Sequence, residues 1–166
     1  LAGLVEDFLA FARPRALRLS SADLSRTVGI VAELMEPEAH VAGVALEVGI
    51  DADTVARYDE ERMKQVLMNL LRNAFEAAGD GGRVELACTR LRRDARIEVR
   101  DNGPGLPDGL NVFEPFATTK EGGTGLGLPI VHRIVSDHGG EISVDRRQEM
   151  TVFSVQLPLD GPPGTA

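Results

Sequence analysis

DNGPGLPDGLNVFEPFATTKEGGTGLGL (residues 101–128) is the most informative stretch of this sequence, because the glycine clusters DNGPG and GGTGLGL flank a segment with little periodicity. An acidic residue followed by glycines, as at Asp101, suits a pocket that reads the exposed amino group of a flat polar ring. The second cluster runs into a helical pattern, where bare backbone N–H groups and the helix N-terminus both favour anions. Either cluster alone would indicate only turns, and Asn102-Gly103 is itself a turn signal. Together they indicate a nucleotide site.

Upstream, a strongly periodic helix predicted over residues 60–78 carries two asparagines, Asn69 and Asn73, four residues apart and therefore on one face. Its apolar stripe centres on Leu70 and its helical neighbours, so both asparagines fall at the edge between core and cleft. A neutral amide oxygen binds a hard cation such as Mg²⁺ without adding negative charge to the site. The ordinary alternative is that both side chains satisfy backbone groups at a helix edge. The two glycine clusters nearby favour the magnesium role.

Polar side chains around the second glycine cluster offer further contacts. Thr119 and Lys120 lie just before GGTGLGL, and a lysine on such a loop either reaches a terminal phosphate or is simply solvated. Thr151 falls on a late strand, where its hydroxyl either lies under the base or serves packing. The residues themselves leave both alternatives open.

Hydrophobic periodicity predicts an α+β fold, a two-layer sandwich with helices on one face of a mixed, mostly antiparallel sheet. Pro14 and Pro37 mark the expected ends of the first two helices, and Ser21 or Asp23 caps the second. The elements are expected in the order α-α-β-β-α-β-β-loop-α-β-β, with strands at residues 44–50, 54–59, 83–91, 95–101, 141–147 and 150–158.

The chain divides into four expected parts. Residues 1–14 form the end of a longer helix, residues 15–20 a linker, residues 21–159 the sandwich domain, and residues 160–166 a disordered tail rich in proline and glycine. The sequence opens in mid-pattern without methionine, so we expect a fragment of a longer protein.

Composition narrows the function further. The 166 residues carry a net charge of −8 with no basic block, which argues against nucleic acid as a partner. Because the overall field repels polyphosphate, a bound nucleotide needs local groups and a metal. Cys88 is the single cysteine, which excludes an internal disulfide framework and fits a cytoplasmic location. It lies in an alternating strand pattern, which favours a buried packing role over a reactive thiol. No apolar run approaches the roughly 18 residues of a membrane span, so no membrane contact is expected here.

Four motifs give the chain a family resemblance. NLLRNAFEA, DNGPG, VFEPF and GGTGLGL resemble, in order, the N, G1, F and G2 boxes in the catalytic domain of sensor histidine kinases. This domain belongs to the gyrase/chaperone/histidine-kinase/mismatch-repair ATPase superfamily. FEPFATTK is similar to kinases of the nitrogen-regulation type, and LVEDFLAFARP resembles the end of the second dimerisation helix.

The resemblance implies a Bergerat-type sandwich in which ATP lies between the N-box helix and a lid. By its motifs, Asn73 would ligate Mg²⁺ with Asn69 alongside, and Asp101 would read adenine in a pocket shaped by Gly103 and Gly105. Phe113 and Phe116 would pack the lid. The candidate phosphate contacts are Thr119, Lys120, Gly123, Thr124, Gly125, Leu126, Gly127 and Leu128, with Thr151 as a candidate contact of the base.

Departures from the family pattern shape the expected activity. Glu76 stands where many relatives carry a phosphate-binding lysine, which shifts that role towards Lys120 and Arg72. Hydrolytic members place a glutamate at the position of Asn69, and an amide cannot serve as the base that activates water. Transfer of the γ-phosphate, with Asn73 and Lys120 as catalytic residues, is therefore favoured over hydrolysis. A non-catalytic ATP-binding module and an ATPase are the alternatives.

None of the three histidines, His40, His132 and His138, lies in a segment that resembles a phosphoacceptor box. They are interpreted as surface or helix-end residues, and the acceptor is expected upstream of Leu1. This chain is thus expected to bind Mg-ATP without phosphorylating itself. The resemblance further implies a parent that dimerises through upstream helices and passes phosphate to the receiver domain of a response regulator.

Overall fold

The computed structural model describes residues 2–13, 15–117 and 124–165. Its helices are α1 (Ala2–Ala12), α2 (Leu24–Val41), α3 (Glu60–Ala78) and α4 (Gly127–Asp137). Its strands are β1 (Ser20–Asp23), β2 (Ala45–Ile50), β3 (Val55–Tyr58), β4 (Arg83–Arg90), β5 (Asp94–Asp101), β6 (Glu141–Arg147) and β7 (Met150–Pro158). Across the residues described, no helix is both long enough and apolar enough to cross a membrane.

Within the described residues, the main sheet has five strands in the order β2-β4-β5-β7-β6. β2 and β4 run parallel, whereas β4–β5, β5–β7 and β6–β7 are antiparallel. β1 and β3 form a separate antiparallel pair. The predicted fold class, an α+β sandwich with a mixed, mostly antiparallel sheet, is confirmed.

The helices form the second layer on one face of this sheet. α3 contacts both α2 and α4 and lies on β4 and β5. Its amphipathic pattern explains this placement, because the residues of its apolar stripe, Leu70 among them, are almost fully buried. The core is aliphatic, as the lack of tryptophan indicated, and its fully buried members include Val28, Met63, Val66, Leu70, Leu71, Val84, Val99, Val131 and Val155.

Asp59 and His138 fix how α3 and α4 meet. The carboxylate of Asp59 caps α3 by accepting the backbone N–H of Arg62 at 3.1 Å. The backbone N–H of Asp59 donates to Nε2 of His138 at 3.0 Å, and Nδ1 of the same ring contacts the Ile134 carbonyl at 2.7 Å. Since a backbone N–H only donates, Nε2 is unprotonated and Nδ1–H is the donor. Burial lowers the pKa of His138, so a neutral ring joins the C-terminus of α4 to the N-terminus of α3.

The predicted β4–β5 hairpin is confirmed, and with it the interpretation of Cys88. The Cys88 side chain is buried in the core, and burial raises the pKa of its thiol to about 11. A thiol that is both inaccessible and protonated at neutral pH is a packing residue.

Two expectations near the N-terminus are wrong. Residues 20–23 were expected in the linker and the start of a helix, yet they form β1, because their pairing with β3 is a long-range contact that no local pattern encodes. Pro37 was expected to end the second helix, yet α2 continues to Val41 with Pro37 inside it. One lost hydrogen bond near a helix end is tolerated here because the extra turn buries Ala39 completely.

Residues 160–165 form turns rather than the expected disordered tail. Pro162 and Pro163 lie so close to Gly139 that a Cβ on this glycine would stand 3.0 and 2.8 Å from their Cα and Cδ atoms. Composition identifies such prolines only as helix and strand breakers, but here they also pack against the end of α4.

Candidate nucleotide-binding site

Asn69 and Asn73 lie on one flank of α3, and both side chains are half-buried. Ala77 follows one turn further along the same flank. Gly103 lies directly on this turn, since a Cβ at Gly103 would stand 2.3 Å from the Ala77 carbonyl oxygen. The structure therefore brings the first glycine cluster against the helix flank that carries both asparagines.

Asp101 ends β5 and is 2% exposed. Its Oδ1 accepts the backbone N–H of Gly103 at 3.0 Å, which forms the turn that the Asn102-Gly103 sequence indicated. Asn102 holds this turn to the start of β4, because its Oδ1 accepts the backbone N–H of Arg83 at 2.8 Å. The turn-forming role of Asp101 is thus confirmed, and its role in reading a base remains a prediction.

Thr151 and Arg146 extend the row of side chains that begins with Asp101. Asp101 pairs with Thr151 across β5–β7, and Thr151 pairs with Arg146 across β7–β6. Nη1 of Arg146 donates to the Thr151 hydroxyl oxygen at 3.0 Å and to the Gly103 carbonyl at 2.9 Å. Sequence reasoning identified Thr151 but missed Arg146, because its position depends on the register between two strands.

The second glycine cluster closes against the segment before it. Gly125, with φ of 69°, accepts the backbone N–H of Phe116 at 2.9 Å. A Cβ there would stand 2.5 Å from the Phe116 Cα, so only glycine permits this approach. The Thr124 hydroxyl oxygen accepts the backbone N–H of Leu126 at 3.3 Å, and the same hydroxyl donates to the Asp7 carboxylate of α1 at 3.1 Å.

The other residues assigned to the phosphate cradle divide into two groups. Leu126 is fully buried at the N-cap of α4. Gly127 and Leu128 lie in the first turn of this helix, and both residues are half-buried. Thr119, Lys120 and Gly123 lie outside the described residues, so their assignments remain predictions.

The two phenylalanines expected to pack the lid behave differently. Phe113 packs inward, with ring centroids 5.6 Å from His132 and 6.3 Å from Phe153. Phe116 has a φ of 64° and is 61% exposed. Phe113 thus packs against α4 and β7 while Phe116 is exposed, and the role of both residues in packing a lid remains a prediction.

Arg72 is engaged away from the asparagines. Its guanidinium forms two hydrogen bonds with Glu38 of α2, at 2.9 and 3.0 Å. These bonds lower the pKa of the Glu38 carboxyl and raise the pKa of Arg72. The suggestion that Arg72 compensates for Glu76 as a phosphate contact is therefore not supported by its position here.

The described residues fit a magnesium-bound nucleotide. Gly103 and Gly125 stand where a Cβ would collide with neighbouring backbone, so only glycine lets the two loops approach α3 and the segment before the second cluster this closely. Among residues 2–13, 15–117 and 124–165, no group of three or more His, Cys, Asp or Glu side chains could hold a metal by itself. A magnesium ion here would be held by amide oxygens together with phosphate oxygens of the nucleotide, in keeping with its preference for oxygen ligands.

Comparison with known proteins points to histidine kinases and their ATPase relatives. A family model described as histidine kinase-, DNA gyrase B- and HSP90-like ATPase matches residues 58–161. Sporulation kinase A of Bacillus subtilis (strain 168) is 33% identical over 160 residues, which is 93% of this chain and 26% of that protein. The sensory histidine kinase/phosphatase NtrB of Azospirillum brasilense is 42% identical over 118 residues, 61% of this chain and 30% of that protein. The chain thus spans less than a third of either relative.

Solved structures share the fold. The full-length ShkA structure in complex with AMPPNP has a TM-score of 0.85 and 31% identity, covering 96% of this chain and 36% of that one. The histidine kinase ThkA in complex with the response regulator protein TrrA has a TM-score of 0.84 and 29% identity, covering 95% of this chain and 47% of that one.

Proposed function

The chain belongs to the histidine kinase-, DNA gyrase B- and HSP90-like ATPase family, whose model covers residues 58–161, and from this membership we propose that it is the ATP-binding catalytic domain of a two-component sensor histidine kinase. It binds Mg-ATP and presents the γ-phosphate to a histidine of the parent protein. The similarity to ShkA, solved with AMPPNP, supports the choice of nucleotide.

One observation carries the proposal. The close approach of Gly103 to the last turn of α3 places the loop after Asp101 against the flank of Asn69 and Asn73. The buried carboxylate of Asp101 thereby lies beside the helix that carries the two asparagines. In the proposed site Asp101 accepts from the amino group of adenine, with Gly103, Gly105 and Thr151 around the base.

Phosphate and metal lie towards α4 in this proposal. Asn73 is the magnesium ligand, with Asn69 beside it, and Lys120 neutralises the terminal phosphate. When bound, magnesium draws negative charge from the transferred phosphoryl group. The remaining phosphate contacts are backbone groups and side chains of the second glycine cluster, namely Thr119, Gly123, Thr124, Gly125, Leu126, Gly127 and Leu128.

Transfer rather than hydrolysis follows from the chemistry of α3. At neutral pH an amide such as Asn69 cannot take a proton from water, so the site lacks a base at this position. An imidazole acceptor needs little activation, because it is substantially neutral near pH 7. The site therefore holds and orients the phosphate for an external nucleophile.

We further propose the organisation of the parent. Residues 1–14 form the end of a dimerisation helix, residues 15–19 a linker and residues 20–159, which begin with β1, the catalytic domain. This domain lies in the cytoplasm, whether the parent is anchored to a membrane or soluble. The acceptor histidine lies upstream in a homodimeric parent, and the phosphate passes to a response regulator receiver domain. The likeness to ThkA bound to TrrA supports such a partner.

Nucleotide binding is tested first on the chain itself, by titration calorimetry with Mg-ATP. Asp101→Asn is expected to weaken binding about tenfold to a hundredfold, the value of a hydrogen bond to a charged group. Asp108→Asn is the matched control, because Asp108 is exposed in the same loop. Equal affinities for Asp101→Asn and the control would remove Asp101 from the base pocket.

Phosphate transfer is tested on the parent protein with γ-labelled ATP. Label that is acid-labile and base-stable is expected on a histidine outside these 166 residues. Nucleotide binding without any label would favour the alternative, a non-catalytic ATP-binding module. Label on His40, His132 or His138 would overturn the assignment of the acceptor.

A further inference from the structure

Arg146 lies at the end of a row formed by one side chain from each of three neighbouring strands. Asp101 of β5, Thr151 of β7 and Arg146 of β6 are direct cross-strand partners and therefore share one face of the sheet. The Arg146 side chain also runs beneath the first glycine cluster, since a Cβ on Gly105 would stand 3.0 Å from its Nη1. The arginine thus contacts both the strand and the loop that border the proposed base pocket.

The hydrogen bonds of Arg146 determine what Thr151 can do. A guanidinium group only donates, and Nη1 of Arg146 donates to the Thr151 hydroxyl oxygen at 3.0 Å and to the Gly103 carbonyl at 2.9 Å. Because that oxygen accepts from Arg146, the hydroxyl hydrogen of Thr151 must point to another acceptor. The bond to Gly103 holds the turn after Asp101 in place at the same time.

A hydroxyl that is biased towards donating, beside a buried carboxylate, matches one purine edge better than the other. Adenine presents an amino donor next to a ring-nitrogen acceptor, whereas hypoxanthine presents a carbonyl acceptor next to an N–H donor. A freely rotating threonine hydroxyl serves either edge, directly or through one water, since it can donate or accept. Because Arg146 occupies one lone pair of the Thr151 hydroxyl and turns its hydrogen away from the guanidinium, the hydroxyl is biased towards donating, which favours adenine.

We propose that Arg146 is a positioning residue of the base pocket, which sets the preference for adenine by orienting the Thr151 hydroxyl and the Gly103 turn. This inference rests on the proposed nucleotide-binding function. It assigns no contact between Arg146 and the nucleotide, because the arginine acts through its two partners.

The neighbouring arginine provides a matched control. Arg147 lies on the opposite face of β6, where its guanidinium donates to Glu98 at 2.8 Å. Arg146→Met and Arg147→Met remove the same charge and the same hydrogen-bonding group from adjacent positions. A nonspecific effect of charge or of a weakened edge strand would appear in both variants.

The experiment measures affinities of the chain for Mg-ATP and Mg-ITP by calorimetry, with folding checked by circular dichroism. Arg146→Met is expected to lower the ratio of ATP to ITP affinity at least about fivefold, the equivalent of one ordinary hydrogen bond. Arg146→Lys, which keeps a donor, should retain part of the ratio, and Arg147→Met should retain all of it. Thr151→Val should lower the ratio as Arg146→Met does, and the double variant should lower it no further.

The outcomes separate this inference from the function it rests on. An unchanged ratio in Arg146→Met, even with weaker binding of both nucleotides, would show a merely structural role and overturn the inference alone. If Arg146→Met fails to fold, an unchanged ratio in Thr151→Val overturns it instead. Failure of the unmodified chain to bind ATP would overturn the proposed function as well.

Discussion

Replacing Gly103 by alanine is expected to force the loop after β5 away from α3. The added Cβ would stand 2.3 Å from the Ala77 carbonyl oxygen and 2.9 Å from Oδ1 of Asp101, where ordinary contacts are 3.4–4 Å. Relief requires a shift of about 1 Å (3.4 − 2.3), and the Ala77 carbonyl cannot rotate aside because it belongs to helix backbone. Overpacking of this kind costs about 1–3 kcal/mol, offset in part by the roughly 0.4–1 kcal/mol that Gly→Ala gains through the unfolded chain.

A net loss of about 1–2 kcal/mol in the free energy of unfolding is therefore expected, measured by urea denaturation with circular dichroism. ATP affinity should fall about tenfold or more, because the shift separates Asp101 from the asparagine flank. Gly49→Ala is the control, since a Cβ on this exposed glycine of β2 meets no atom within 4 Å. Denaturation midpoints and ATP affinities that match those of Gly49→Ala would refute the reasoning about this contact.

Three further changes test other parts of the structure. Asn73→Ala should abolish the dependence of ATP affinity on Mg²⁺, and equal affinities of the parent chain with magnesium and with a chelator would defeat the metal assignment. Burial lowers the pKa of His138 in the folded protein, so the unfolded chain binds a proton at this residue more readily. Thermal stability should therefore fall as the pH drops below about 6.5. His138→Gln should flatten this pH dependence, and an unchanged slope in the variant would contradict the role of His138. Asp7→Ala removes the carboxylate that accepts a hydrogen bond from Thr124, and with it a negative charge beside the proposed phosphate site. ATP affinity should rise about two- to fivefold at low salt but not in 0.5 M salt, which screens this charge. An equal rise in Glu6→Ala would show that the effect comes from the overall charge of the chain.

The parts of this fold that sequence reasoning predicted are those with local causes. The bounds of α3 follow from its amphipathic period and from Asp59 as its cap. The β4–β5 hairpin follows from two alternating runs separated by a short turn. β1 was missed because its four residues become a strand only through pairing with the distant β3.

The candidate site shows the same division. Asp101 and the two asparagines could be proposed from their residue types and spacing, and Gly103 from the family resemblance; the structure brings their segments together, and their roles remain predictions. Arg146 was not, because nothing in EISVDRR distinguishes it from Arg147 until the register of β6 against β7 is known. Thr119, Lys120 and Gly123 lie outside the described residues, so their assignments remain predictions from the sequence.

The position of β7 has a consequence for how this protein is made. This last strand lies inside the sheet, between β5 and β6, and carries Thr151. Until β7 has been synthesised, the earlier strands lack the partner that joins β5 to β6, and β5 has an open edge. Completion of the domain and assembly of the proposed base pocket must therefore await release of β7, so a nascent chain cannot complete this site before that strand has left the ribosome.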